Sequence, residues 1–251
     1  MKQVYWLRVF ILFLAILLVI ACMVAYFTFS FARIFYADSN ALRLNPLGLS
    51  SYQTVPTRTS PDVKRLVFFG DSRTEAWSSP ANLNGWEFVN RGIGGQTTAQ
   101  VLGRFSAHIT PLQPQVIVLQ VGVNDLRTIP IFPDQRAEII ANCLTNIQSI
   151  IQQSTDLSAT VILTTIFPVG EATLERSVFF WSDDIATAIN EVNTILRSLA
   201  SDHVVVLDAD PILLDENGHP RADYMEDTLH LNAAGYVALN QRLVEILATL
   251  P

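Results

Sequence analysis

The sequence has 251 residues, half of them apolar, with 16 basic and 23 acidic side chains, a composition that excludes a disordered chain and suits one large domain or two small ones. Charge is unevenly spread: residues 1–61 carry five Lys or Arg and one acid, whereas the remainder holds 11 bases against 22 acids. An acidic body repels phosphate backbones, so nucleic acid is not an expected partner, and two cysteines, Cys22 and Cys143, cannot build a disulfide framework.

The chain begins with a membrane signal. From Val9 to Phe31 only Thr28 and Ser30 interrupt an apolar run of 23 residues. As a helix it would reach roughly 35 Å, enough for a hydrocarbon core of about 30 Å. Lys2 and Arg8 precede the run, and Arg33 and Arg43 follow it. Segment 1–36 is therefore expected to be an uncleaved, single-pass transmembrane anchor with the body on the extracytoplasmic side. Two other readings stay open. Val19-Ile20-Ala21-Cys22 resembles a bacterial lipobox, which would put lipid on Cys22, although no polar tether follows it. A cleaved signal releasing a secreted form is the other, although its apolar stretch is usually only about 7–15 residues. Residues 37–61, with Pro46, Pro56, Pro61 and many Ser, Thr and Asn, read as a flexible linker.

Beyond Pro61 the pattern becomes regular. Strands are predicted at Leu66–Phe69, Phe88–Asn90, Val116–Val121, Val161–Thr165 and Val204–Leu207. Helical spacing links Ile140, Leu144, Ile147 and Ile151, and again Ile185, Ile189, Val192, Leu196 and Leu199. A last helix is predicted from an Asn232 N-cap to about Leu247, burying Val237, Leu243 and Ile246. Apolar strands alternating with amphipathic helices imply a mostly parallel sheet covered on both faces over 62–251. In such sheets the ligand site lies beyond the carboxyl ends of the strands.

Four motifs fall there. Gly70-Asp71-Ser72-Arg73 puts a serine just past the first strand, placed either as a nucleophile or as part of an ordinary helix cap. Asn90-Arg91-Gly92-Ile93-Gly94-Gly95-Gln96-Thr97 can aim backbone amides at an oxyanion or a phosphate, or form a plain turn. It lacks the third glycine of a dinucleotide fingerprint, since Thr97 stands in that place. Gly122-Val123-Asn124-Asp125 offers a side-chain amide or an Asx turn. Asp227-Thr228-Leu229-His230 can bring a carboxylate to one imidazole nitrogen and leave the other free as a base, although a lone His before a helix is usually a surface residue.

Taken together, in this order and at these strand ends, the four blocks resemble the SGNH (GDSL-type) hydrolase family across about residues 64–248. The wording is closest to its platelet-activating-factor acetylhydrolase-like and lysophospholipase/thioesterase members. The resemblance implies a flavodoxin-like three-layer α/β/α fold with a central five-stranded sheet. It also implies ester hydrolysis without metal or other cofactor. By position it makes Ser72 the nucleophile, His230 the base and Asp227 its partner. Ser72, Gly95 and Asn124 would form the oxyanion hole. Two positions depart from the family: Arg73 stands where its name has leucine, a cation expected to bias substrate choice, and Gln96 stands where related members often have Asp.

Weaker candidates remain. Asp208 and Asp210 could suggest a metal pair, but no His or Cys cluster accompanies them and loop structure is the expected role. His108, His203 and His219 are scattered, and the run Val178–Trp181 would pack under a helix or wall an acyl chain. The expected activity is a serine esterase acting on acyl esters, a lysophospholipid first. A cell-envelope glycan O-acetyl esterase is the alternative, and an inactive, anchored binding protein of the same fold is the third reading. If the apolar run of 23 residues is an uncleaved anchor, the native protein is expected to stay in the membrane fraction through carbonate washing. Its intact mass should equal that of the full chain. A mature chain beginning at a lipidated Cys22, or near residue 35, would overturn that expectation.

Overall fold

The computed structural model describes residues 2–58, 60, 62–81, 83–170 and 181–250. By its contacts the chain falls into two units, Met1–Pro46 and Leu47–Pro251. The first is one helix, α1 (Lys2–Leu44), without a buried residue, and it is a candidate membrane span by length and composition. At 1.5 Å per residue it extends roughly 65 Å, about twice the hydrocarbon thickness of a bilayer. Its last turns therefore differ from the expected linker. No proline interrupts residues 32–45, so the helix propagates until Pro46, which lacks an amide hydrogen and disfavours helix in the residue before it.

The second unit is built on β1 (Lys64–Gly70), β2 (Trp86–Gly92), β3 (Val116–Gln120), β4 (Thr160–Thr164) and β5 (Val204–Leu207). All neighbouring strands are parallel, in the order β2-β1-β3-β4-β5. This is the doubly wound order of flavodoxin-like folds. Alternation along β1 explains the two cores. Val67 and Phe69 face one side with Ile117, Leu119, Val161 and Leu163, and Leu66 and Phe68 face the other with Val116, Val118 and Ile162.

Short helices α2 (Ser72–Glu75), α3 (Thr98–Gly103), α4 (Phe105–His108) and α5 (Val123–Leu126) follow the strands. The long α6 (Arg136–Asp156) and α7 (Asp184–Arg197) add Ile140, Ile147, Ile185, Ile189 and Val192 to the first core. The single turn α8 (Asp210–Leu213) and the last helix α9 (Ala233–Thr249) cover the second face with Leu239, Leu243 and Ile246. Asn232 caps α9 as expected, accepting from the amides of Ala234 and Gly235. Val237 departs from the expected burial: its side chain is 57% exposed, because the buried stripe runs instead through Tyr236, Leu239 and Leu243.

Residues 47–58 also differ from a free linker. Arg65 donates to Pro56 O at 3.1 Å, Arg58 to Gln113 O at 2.6 Å, and Arg91 to Thr54 O at 3.2 Å. The backbone there finds partners along the sheet, so it is ordered against it.

Where β4 ends, a side chain takes over the ladder. Buried Asn193 of α7 accepts from Ile166 N at 2.8 Å and donates to Ile166 O at 2.9 Å. Asn193→Leu would leave two buried backbone groups unpaired, at a cost of about 2–4 kcal/mol. Its urea midpoint is expected to fall accordingly. An unchanged midpoint would mean that water replaces the amide there.

Candidate active site

The serine turn is set by close approach. A Cβ on Gly70 would lie 1.7 Å from Gln120 O, so only glycine lets β1 run this near to β3 at its end. Asp71 then caps α2, its Oδ1 accepting from Arg73 N at 2.9 Å, and Thr74 Oγ1 donates to Gln120 O at 3.0 Å. Ser72, half-buried at the first helical position, is thereby presented at the carboxyl edge of the sheet.

The loop before α9 meets it there. His230 Nε2 lies 3.0 Å from Ser72 Oγ, and His230 Nδ1 lies 3.1 Å from Asp227 Oδ2. The loop is closed on itself: Asp227 Oδ1 accepts from Leu229 N at 2.6 Å and His230 N at 2.7 Å, while Glu226 N donates to His230 O. Partial burial raises the Asp227 carboxyl, but the hydrogen bonds from the imidazole and these two amides outweigh it and hold the group at about 2. Asp227 is therefore a carboxylate across the working pH range.

Gly95 and Asn124 come to the same edge. Gly95 adopts φ +74°, and a Cβ there would meet nothing within 4 Å, so its backbone borders open space. Asn124 is buried in α5, its Nδ2 donating to Gln96 O at 3.0 Å and its Oδ1 accepting from Arg127 at 3.3 Å. These two partners fix which end of the amide faces which way. Asp125 beside it accepts from Thr98 N and Oγ1, at 2.8 and 2.6 Å, so the last two residues of the third motif divide between loop orientation and helix capping.

Arg73 is a correction. Its side chain is wholly buried, with Nε on Leu229 O at 2.9 Å, Nη1 on Phe167 O at 2.7 Å and Nη2 on Pro168 O at 3.2 Å. Burial lowers it to about 10, so it remains a cation, and it ties the serine helix to the carbonyl preceding His230. Arg104, which no motif flagged, does the same for the glycine loop, donating to Gln96 Oε1, to Arg91 O at 2.9 Å and to Gly70 O at 2.8 Å. Only its burial between α3 and α4 distinguishes it, and that is not visible in sequence.

The weaker candidates stand apart from the contacts among Ser72, His230 and Asp227, although Asp210, His219 and Trp181 line the cleft beside Asp227. Asp208 and Asp210 both pair with Arg197, which accounts for them as an ion-pair cluster; among the described residues no group of acids, His and Cys could hold a metal. His108 is buried against Tyr52 and Arg104, and His203 and His219 are exposed. Residues 178–180 of the aromatic run lie outside the described residues. A cleft of about 910 Å³ is lined by Thr228, Pro168, Val169, Ile189, Leu214 and Met225, and Asp227 alone of Ser72, Gly95, Asn124, Asp227 and His230 borders it. A volume of this size suits a ligand of several hundred daltons.

A model of the GDSL-like lipase/acylhydrolase family matches residues 68–238. Among solved structures, a GDSL-like lipase from Bacteroides thetaiotaomicron VPI-5482 is 24% identical, with a TM-score of 0.65 over 80% of this chain and 98% of its own. A protein from Streptococcus pneumonia, provisionally described as a platelet activating factor, is 26% identical with a TM-score of 0.67, over 86% and 99% of the two chains. An acetyl xylan esterase, AlAXEase, is 23% identical with a TM-score of 0.58, over 74% and 100%. No curated protein matches the sequence.

Burial makes one neighbour of the serine sensitive to pH. Desolvation raises Asp71 from 3.8 to about 6, against the pull of the Arg73 guanidinium and amide. Between those values the folded protein holds the proton more tightly than the unfolded chain, so this group lowers stability as pH rises through that window. Its share is on the order of 3 kcal/mol at 1.36 kcal/mol per pH unit. Unfolding of the wild type from pH 4 to 7 is expected to show this fall, and Asp71→Asn to remove it. Parallel pH profiles for the two proteins would show the assignment to be wrong.

Proposed function

We propose, from the premise that the chain belongs to the GDSL-like lipase/acylhydrolase family and is an ester-hydrolysing enzyme, that Ser72 is its nucleophile, with His230 as base and Asp227 as the group that orients it. The observation that carries this reading is the continuous contact from Ser72 Oγ to His230 Nε2 at 3.0 Å and from His230 Nδ1 to Asp227 at 3.1 Å. Ser72 Oγ bonds to the acyl carbon as its proton passes to Nε2. The carbonyl π electrons move to oxygen, and the resulting oxyanion is held by Ser72 N, Gly95 N and Asn124 Nδ2. Collapse expels the alcohol, which takes the proton from His230. Water then gives its proton to His230, adds to the acyl-enzyme and releases the acid with Ser72 restored. Asp227 stays ionised and holds the imidazole in the tautomer with hydrogen on Nδ1. No step requires a metal or organic cofactor.

The substrate we infer is an acyl ester presented near a bilayer, a lysophospholipid first. Two features support it: the apolar helix α1, which would anchor the domain on the extracytoplasmic face, and the large cleft beside Asp227. An acetylated envelope glycan is the second reading, the same triad serving a small acyl group. Hydrolysis rates on p-nitrophenyl esters of graded length, on lysophosphatidylcholine and on acetylated xylooligosaccharides separate the two.

Ser72→Ala deletes one hydroxyl at a strand end. It is expected to abolish esterase turnover and covalent labelling by a fluorophosphonate while leaving the denaturation midpoint in place. Asp227→Asn is expected to lower kcat strongly with little change in KM, by about 10⁴-fold if the change acts as in the serine-protease triad. Labelling that persists in Ser72→Ala would remove the serine from its role, and full activity in Asp227→Asn would remove the aspartate.

A further inference from the structure

The turn Gly94-Gly95 has no side chains with which to anchor itself, and glycine pairs lose the most conformational entropy when ordered. Its position is therefore decided by its flanks, Gly92, Ile93 and Gln96. All three are touched by the segment that follows α1 in the sequence, beside the bond from Ile93 N to Gly70 O at 3.1 Å. Tyr52 Oη donates to Gly92 O, and the Arg91 guanidinium stacks on the Tyr52 ring at 4.6 Å. Gly48 lies so close over the loop, at φ +67°, that a Cβ there would stand 2.8 Å from Ile93 Cδ1 and 3.0 Å from Gln96 Nε2. Gln96 Nε2 donates to Leu47 O at 3.0 Å.

Gln96 is the junction. It is 4% exposed, and both ends of its amide are engaged, Nε2 on Leu47 O and Oε1 accepting from Arg104 Nε. Its own carbonyl accepts from Asn124 Nδ2. Arg104 in turn grips Gly70 O and Arg91 O, the carbonyls where β1 and β2 end. One connected set of hydrogen bonds thus joins the stretch after α1 to Asn124 Nδ2, and Gln96 is bonded through the chain to Gly95.

We propose that Leu47–Tyr52 is a brace for the oxyanion hole and that Gln96 is the positioning residue through which it acts, an inference that rests on reading Gly95 and Asn124 as oxyanion donors. Such donors work only when held about 2.7–3.1 Å from the developing charge, and a displacement of about 1 Å can cost 10²-fold in rate. Without the brace the glycine turn keeps its sequence but loses its aim. The segment after the anchor is then part of the catalytic apparatus, and the catalytic unit begins at Leu47.

The test uses the full chain and hydrolysis of p-nitrophenyl acetate. Gly48→Ala drives a methyl group into Ile93 and Gln96, and Gln96→Met keeps the bulk of the side chain while removing its hydrogen bonds. Both are expected to lower kcat about 10- to 100-fold with KM within about twofold. Tyr52→Phe should fall in the same direction. Arg58→Ala, which releases only the stretch beyond the brace from Gln113 O and Gln115 Oε1, should stay within about twofold of wild type. Asn124→Ala is measured alone and combined with Gln96→Met. Because part of the Gln96 effect passes through Asn124, its loss should cost several-fold less once Asn124 is gone, the remainder acting through Gly95. If Asn124→Ala is impaired but Gly48→Ala and Gln96→Met keep wild-type kcat, the brace is overturned. Equal loss from Gln96→Met in both backgrounds overturns its action through Asn124. If Asn124→Ala retains wild-type kcat, the reading of the hole itself fails, and the brace with it. Should Gly48→Ala fail to fold, Gln96→Met and Tyr52→Phe decide.

Discussion

Where a parallel sheet ends, its ladder of hydrogen bonds stops, and the last carbonyls must be satisfied by something else or remain buried and unpaired. In this protein two buried guanidiniums meet that demand. Arg104 takes the carbonyls of Gly70 and Arg91 at the ends of β1 and β2. Arg73 takes those of Phe167 and Pro168 beyond β4, together with Leu229 O. Burying a cation is expensive, and each is offset by several oriented carbonyl dipoles rather than by a single acid. The price is visible in both groups: burial lowers each to about 10 without removing its charge at neutral pH.

The reactive loops hang from this pair. Arg73 begins one residue after Ser72 and ends one residue before His230, so Ser72 and His230 are joined through a single side chain as well as through space. Arg104 holds Gln96, whose carbonyl receives the Asn124 amide. Buried cross-links thereby add to the local hydrogen bonds that close the Asp227–His230 turn. That suits a site on loops carried by a rigid scaffold. It also leaves Ser72 and His230 accessible while their supports are dry: the His230 side chain is 32% exposed, whereas Arg73 and Arg104 are wholly buried.

Local pattern made much of this legible. The five strands fall where short apolar runs were expected, because residues buried on both faces leave an unbroken hydrophobic signature. Ser72, Gly95, Asn124, Asp227 and His230 each follow a strand or precede a helix, and the sheet brings them to one edge as the doubly wound topology requires. The Asp227 turn could be read because its contacts span only three positions. Val237 and Arg73 could not. A helix stripe can rotate by one residue and still satisfy the same spacing, and a buried arginine looks in sequence like an exposed one.

By itself, then, the sequence determined the apolar N-terminal helix, the α/β class, the order of the motifs and the short-range Asp-x-x-His turn, because each rests on periodicity or on neighbours a few residues apart. Tertiary structure decided what separations of tens of residues control. It turned Arg73 inward toward a loop 156 residues away and made Arg104 a clamp on two strand ends. It laid Leu47–Arg58 against the sheet where a linker was expected, since those residues carry no periodicity of their own and take their conformation from the hydrogen bonds that β1, β2 and Gln96 offer them.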